Sequence, residues 1–133
     1  MYHYRGFKAP LLEWKHNDID HIIYDLNIRA IGCSIAIEHQ NVRNRRPPSL
    51  NTTEYEQIDI EEYRLAECVL RSLITFLKAI KEKGTKSFDN PPVDFIVDGK
   101  EVIFSNAKKD IILNVKDYLK EHYDGDYKCT TIS

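Results

Sequence analysis

The chain of 133 residues has little of what local chemistry is commonly built from: five glycines, three cysteines, one methionine and one tryptophan. With so few glycines there is no Gly-x-Gly-x-x-Gly run, no Gly-x-x-x-x-Gly-Lys-Ser/Thr run and no Gly-x-Ser-x-Gly elbow. Phosphate-cradling loops and the hydrolase nucleophile turn therefore lack sequence support. The cysteines, Cys33, Cys68 and Cys129, are odd in number and widely spaced, which argues against a disulfide framework and for a reducing compartment. Cys33 and Cys68 fall on apolar stretches and are expected in the core, with Cys129 in the tail. No apolar run approaches the 18 or so residues of a membrane span, and the first residues lack a basic-then-apolar leader, so a cytoplasmic protein without membrane contact is expected.

Charge of one sign is missing too. Nineteen basic and 21 acidic residues leave a net charge of −2, so no global field draws the chain to a phosphate backbone and nucleic-acid binding is disfavoured. The one basic cluster, Arg43 to Arg46, is followed at once by Pro47 and Pro48 and reads as a solvated connection. Among His3, His16, His21, His39 and His122 no pair lies four apart with a carboxylate between, so no zinc site, no other metal and no cofactor is expected.

What is present is an ordinary globular composition, 42% hydrophobic and 30% charged, and a length that suits one domain over residues 1–133. Residues 1–16 mix aromatics with Pro10 and read as an irregular or short extended arm. From Asn17 or Asp18 as cap, Ile19, Ile22, Ile23 and Leu26 repeat at helical spacing, and the pattern continues to about Gln40. Residues 28–38 also alternate like a strand, but the helical stripe through Ala30, Cys33 and Ile37 is favoured. A second apolar stripe, Tyr24, Ile28, Ile31, Ile35 and Val42, runs along the same helix, and Gly32 and Ala36 offer room for a close neighbour. Apolar flanks on two sides need two covers, so Tyr24, Ile28, Ile31 and Ile35 are the expected interface of a homodimer or other homo-oligomer.

A second helix starts near Thr53 or Asp59, acidic at its head and basic at its end, with Gly84 as terminator. Val93 to Asp98 and Lys100 to Phe104 form a predicted β-hairpin around an Asp98-Gly99 type I′ turn. Ser105 or Asn106 then caps a third amphipathic helix through Ile111, Ile112, Val115, Tyr118 and Leu119, and the tail supplies a possible third strand. The predicted class is α+β and mostly helical: two long antiparallel helices, then the hairpin, then the third helix.

Two groupings carry functional expectations. Asp94 on the first hairpin strand, with Asn106-Ala107-Lys108 after the second, resembles the acid and acid-x-lysine layout of divalent-metal nucleases of the restriction-enzyme type. That resemblance implies two carboxylates on an ion and a lysine stabilising the attacking water. It departs from the pattern at Asn106, a neutral and poorer ligand, and Lys108 is expected on the helix. A degenerate nuclease using Asp94, Glu101 and Lys108 is thus the enzymatic alternative. The other grouping is EYEQIDIEE, residues 54–62, where Glu54, Glu56, Asp59, Glu61 and Glu62 interleave with Tyr55, Ile58 and Ile60 and are followed at once by Tyr63. An acidic face with aromatic anchors suits docking to a partner protein with a basic surface. The preferred expectation is a non-enzymatic protein-binding module, a small inhibitor or adaptor such as an immunity or phage anti-defence protein. A homo-oligomeric structural subunit is the third alternative.

Overall fold

The computed structural model describes residues 3–4, 7–9, 18–45 and 56–132. Helix α1 (Ile19–Arg45) is entered through Asp18, whose carboxylate accepts the Asp20 N–H at 2.7 Å. The helix runs five residues past the expected end at Gln40 and includes residues 28–38. No breaker occurs before the Pro47-Pro48 pair, and Arg43 and Arg45 in the last turn complement the dipole.

Helix α2 (Ile60–Glu82) is capped by Asp59, which accepts the N–H groups of Glu61 at 3.0 Å and Glu62 at 3.3 Å. Of the two starts the sequence offers, Asp59 is the one used. At the other end Gly84 takes φ +109°, a conformation that a side chain resists, and the Thr85 N–H closes back on the Ile80 carbonyl at 3.1 Å. The two helices run antiparallel. The Ile19 N–H bonds the Lys86 carbonyl, and Lys81 pairs with Asp20, so the head of α1 meets the end of α2. At the opposite end, buried Gln40 accepts the Ile58 N–H and donates to Asn44, tying the tail of α1 to the approach of α2.

The remaining elements build a four-stranded sheet in the order β2 (Phe7–Ala9), β4 (Val93–Asp98), β5 (Glu101–Ala107), β6 (Lys128–Thr131). A separate parallel pair joins β1 (His3–Tyr4) to β3 (Glu56–Gln57). β4 and β5 form the expected hairpin, but the two-residue loop is Gly99-Lys100, because Asp98 pairs with Glu101. The expected Asp98-Gly99 turn is corrected by one residue. With positive φ at Gly99 alone, the loop follows the type II′ pattern, which asks for glycine only at its first position. β5 also runs on through Ser105 and Asn106, which therefore do not cap the third helix. A bulge between Asp94 and Phe95 in the pairing carries those residues along the strand. Helix α3 (Lys109–His122) instead starts from Lys108, with no side-chain cap bond, and returns the chain so that β6 lies parallel to β5.

Helix α2 packs against α1, α3, β4 and β2. On the sheet, Val93, Phe95, Val97, Val102 and Phe104 point inward, while Asp94, Ile96 and Ile103 take the other face, as period-2 alternation requires. Phe7 stacks on Phe95 with centroids 5.8 Å apart and meets Tyr63 edge-on at 5.7 Å, joining β2, β4 and α2. No described helix is long and apolar enough to cross a membrane.

Candidate functional site

The described residues of the acidic grouping do not form one face. Glu62 and Tyr63, expected at a docking surface, are only 8% and 5% exposed. The Glu62 carboxylate accepts the Phe7 N–H and the Gly99 N–H, each at 2.9 Å, so it holds the edge strand and the hairpin loop onto α2. Tyr63 packs on Phe7. Both residues belong to the core side of the helix, because three and four residues on from Asp59 the helix has turned towards the sheet. Asp59 is exposed and serves as the cap, and Glu61 is exposed. Glu54 and Tyr55 lie outside the described residues, as does the side chain of Glu56.

Asp94, Glu101 and Lys108 are not brought together either. Asp94 pairs with Asn106 at one end of the hairpin and Glu101 with Asp98 at the other, five positions away along β5. At about 3.4 Å per residue that separates the two carboxylate-bearing positions by roughly 17 Å, far beyond a shared ion. Glu101 is engaged with its own neighbour, accepting the Thr130 hydroxyl at 2.8 Å. Among the described residues, no three acidic, histidine or cysteine side chains cluster as metal ligands would.

A shallow cleft between α2 and the end of α3 is lined by Glu61, Arg64, Cys68, Arg71, His122 and Tyr123. Its thiol and imidazole do not form a dyad. Cys68 Sγ faces the His122 carbonyl oxygen at 3.9 Å, whereas the His122 ring lies 4.2 Å from Tyr118 and its Nε2 approaches Glu121. Burial pushes the Cys68 thiol up, so it is held protonated rather than as a nucleophilic thiolate.

The outward side of α1 is different in kind. Ile19, Ile22, Leu26, Ala30, Cys33 and Ile37 are buried against the rest of the fold. Roughly half a turn around the axis, Tyr24, Ile28, Ile31 and Ile35 stand in a row at 66%, 48%, 46% and 52% exposure. Their spacing of four, three and four keeps them on one line, the spacing of a helix–helix seam. Charge is nearly absent around them: from Leu26 to Ile37 only Arg29 is charged, and it turns aside to Asp25 at 3.4 Å. Asn27, Gly32 and Ser34 flank the row with small side chains. Among the described residues, a Cβ added at Gly32 would meet nothing within 4 Å, so no described neighbour uses the gap that this glycine leaves. Ala36, its partner in the sequence pattern, packs instead against the core.

Comparison with protein-family models, with curated proteins and with solved structures finds no match to this chain. The candidate site therefore stands on its own geometry. What the sequence pattern did not reveal are the roles of Glu62 and Gln40, whose partners lie 18 to 55 residues away and leave no local signature.

Proposed function

We propose that this protein is a non-enzymatic protein-binding module that docks through the outward side of α1, with Tyr24, Ile28, Ile31 and Ile35 as its anchors. The observation that carries this is the exposed row itself: four large apolar side chains in line on a helix whose other side is already packed. Each buried side chain of this size contributes about 1.5–3 kcal/mol when water is removed from it, enough to make such a row the dominant anchor of a modest interface. An inhibitor or adaptor, of the kind that immunity and anti-defence proteins represent, fits a chain of this size with one such face. Among the described acidic residues of the Glu54–Glu62 grouping, Asp59 and Glu61 are exposed, and Asp59 is already engaged as the cap of α2.

The test is capture from extracts of the source cells by the wild-type protein, by an Ile28→Asp, Ile31→Asp variant and by a Glu61→Gln control. Both altered isoleucines are solvent-facing, so the variant should keep the helical content of the parent by circular dichroism. Proteins retained by the wild type and the control should fall by at least about tenfold with the double variant. Equal retention by all three would show that the row is not a docking surface.

A further inference from the structure

The row on α1 has an internal symmetry. Ile28 and Ile31 lie equally far on either side of the Arg29–Ala30 peptide, and so do Tyr24 and Ile35. When a helix pairs with a copy of itself running the other way, the two-fold axis brings positions equidistant from its centre into one layer. Centred on that peptide, Ile28 of one copy meets Ile31 of the other, and Tyr24 meets Ile35. Four apolar layers result with no position left facing a polar one. The same operation continues outward to the next positions on the line, His21 and Glu38, which are also equidistant from the centre. Each end of the apolar seam would thus be closed by an imidazole opposite a carboxylate. At present His21 lies 4.0 Å from Asp18, and Glu38 lies 3.6 Å from Arg45; both are exposed and on the line.

We infer that the occupant of this face is a second copy of the same chain, paired antiparallel through α1 about a two-fold axis at the Arg29–Ala30 peptide. The inference rests on the docking role proposed above for the same row. Three independent features support it. The apolar positions are self-complementary under one axis. The polar pair at the ends is complementary under that same axis. Gly32 costs the helix about 1 kcal/mol relative to alanine, occupies a flank of the seam and has open space beside it. A helix approaching at about 20° would use that space. Helix α2 packs on the opposite side of α1, with α3 and the sheet packed on α2, and the row itself stays exposed. From His21 to Glu38 the seam is roughly 27 Å long, which places it at the small end of stable interfaces.

The experiment combines sedimentation with directed disulfides. Wild-type protein from about 1 to about 200 µM should pass from monomer to dimer, and Ile31→Asp should raise the Kd by at least about 100-fold. Tyr24→Cys and Ile35→Cys are then made separately on a Cys68→Ser, Cys129→Ser background, with a mass tag on one of them, and mixed above the Kd under mild oxidant. The proposed pairing puts position 24 of one copy beside position 35 of the other, while like positions stand roughly 16 Å apart, too far for a disulfide. Crossed disulfides between the two variants support the inference. Disulfides between like positions would reveal a parallel pairing and overturn it. A strict monomer across the range would also overturn it, while stripe-dependent capture of another protein would leave the docking role standing. A dimer indifferent to Ile31→Asp would overturn the inference, and the docking role would then stand or fall on the capture test.

Discussion

At the scale of single residues, the informative positions are those whose surroundings inside the chain do not match their chemistry, or match it through distant partners. Glu62 is the clearest of the second kind. Its carboxylate satisfies two backbone donors from segments 55 and 37 residues away, so Glu62→Ala removes both acceptors and leaves those N–H groups without them in a partly buried site. Chemical denaturation should show a loss of about 2–4 kcal/mol, and Glu62→Gln, which keeps one acceptor oxygen, should lose less. A cost below about 0.5 kcal/mol for the alanine variant would mean that the edge strand and hairpin loop are held by packing alone. Gly32 is of the first kind. Gly32→Ala adds a methyl group to open space in mid-helix, and the isolated fold should gain about 0.5–1 kcal/mol. The same variant should weaken association, because the methyl group fills the gap against a neighbouring copy. Stability and association moving in opposite directions is a result that a purely structural glycine would not give.

At the scale of elements, local rules account for much of the fold. The stripes of α1 and α2, the Asp59 cap, Gly84 as terminator and the β4–β5 hairpin all follow from spacing and turn chemistry within a few residues of each other. The departures occur where a non-local pairing overrode a local signal. Ser105 and Asn106 have the chemistry of caps, yet the bulge in the β4–β5 ladder keeps them in the strand, so α3 begins from a lysine. The candidate site divides in the same way. The α1 row was legible because two stripes on one helix cannot both face one core. The acidic block was misread at Glu62 and Tyr63 because a sequence does not show which side of a helix will meet a sheet formed thirty residues later. The uncapped start of α3 gives a prediction of its own. Lys108 is exposed and has the extended backbone, φ −71° and ψ 153°, of a cap position. The Asp110 carboxylate already accepts the Ile111 N–H at 3.0 Å, so Lys108→Asp should add an acceptor for the Asp110 N–H and favour the helix dipole, raising the denaturation midpoint by the equivalent of about 0.5–1 kcal/mol. An unchanged or lowered midpoint would mean that the first turn of α3 is satisfied in another way.

At the scale of the whole molecule, α1 is a wall with one packed side and one exposed apolar side, and the two can be read by different measurements. Its inner side includes Cys33, packed towards α2, and burial, reinforced by the nearby Glu67 carboxylate against the opposing Arg71, pushes that thiol up from 9.0 to about 12. Burial also raises Cys68, Cys129, Tyr118, Tyr123 and Tyr127, all of which lie on or beside the α2, α3 and β6 packing. In each case the folded state holds its proton more tightly than the unfolded chain does. The associated stabilisation is therefore complete at neutral pH, begins to fall above pH 9, where unfolded thiols ionise, and for Cys33 is spent by about pH 12. The urea midpoint should accordingly be flat near neutrality and decline steadily through that window. Cys33→Ala should start from a lower midpoint, because it leaves a small cavity, but should decline less steeply, since its thiol no longer contributes. None of the thiols and phenols raised by burial lies on the outer side, so Ile31→Asp should leave the alkaline slope of the monomer unchanged while weakening association. Parallel loss of both properties in that variant would mean that the exposed row is part of the core's own support.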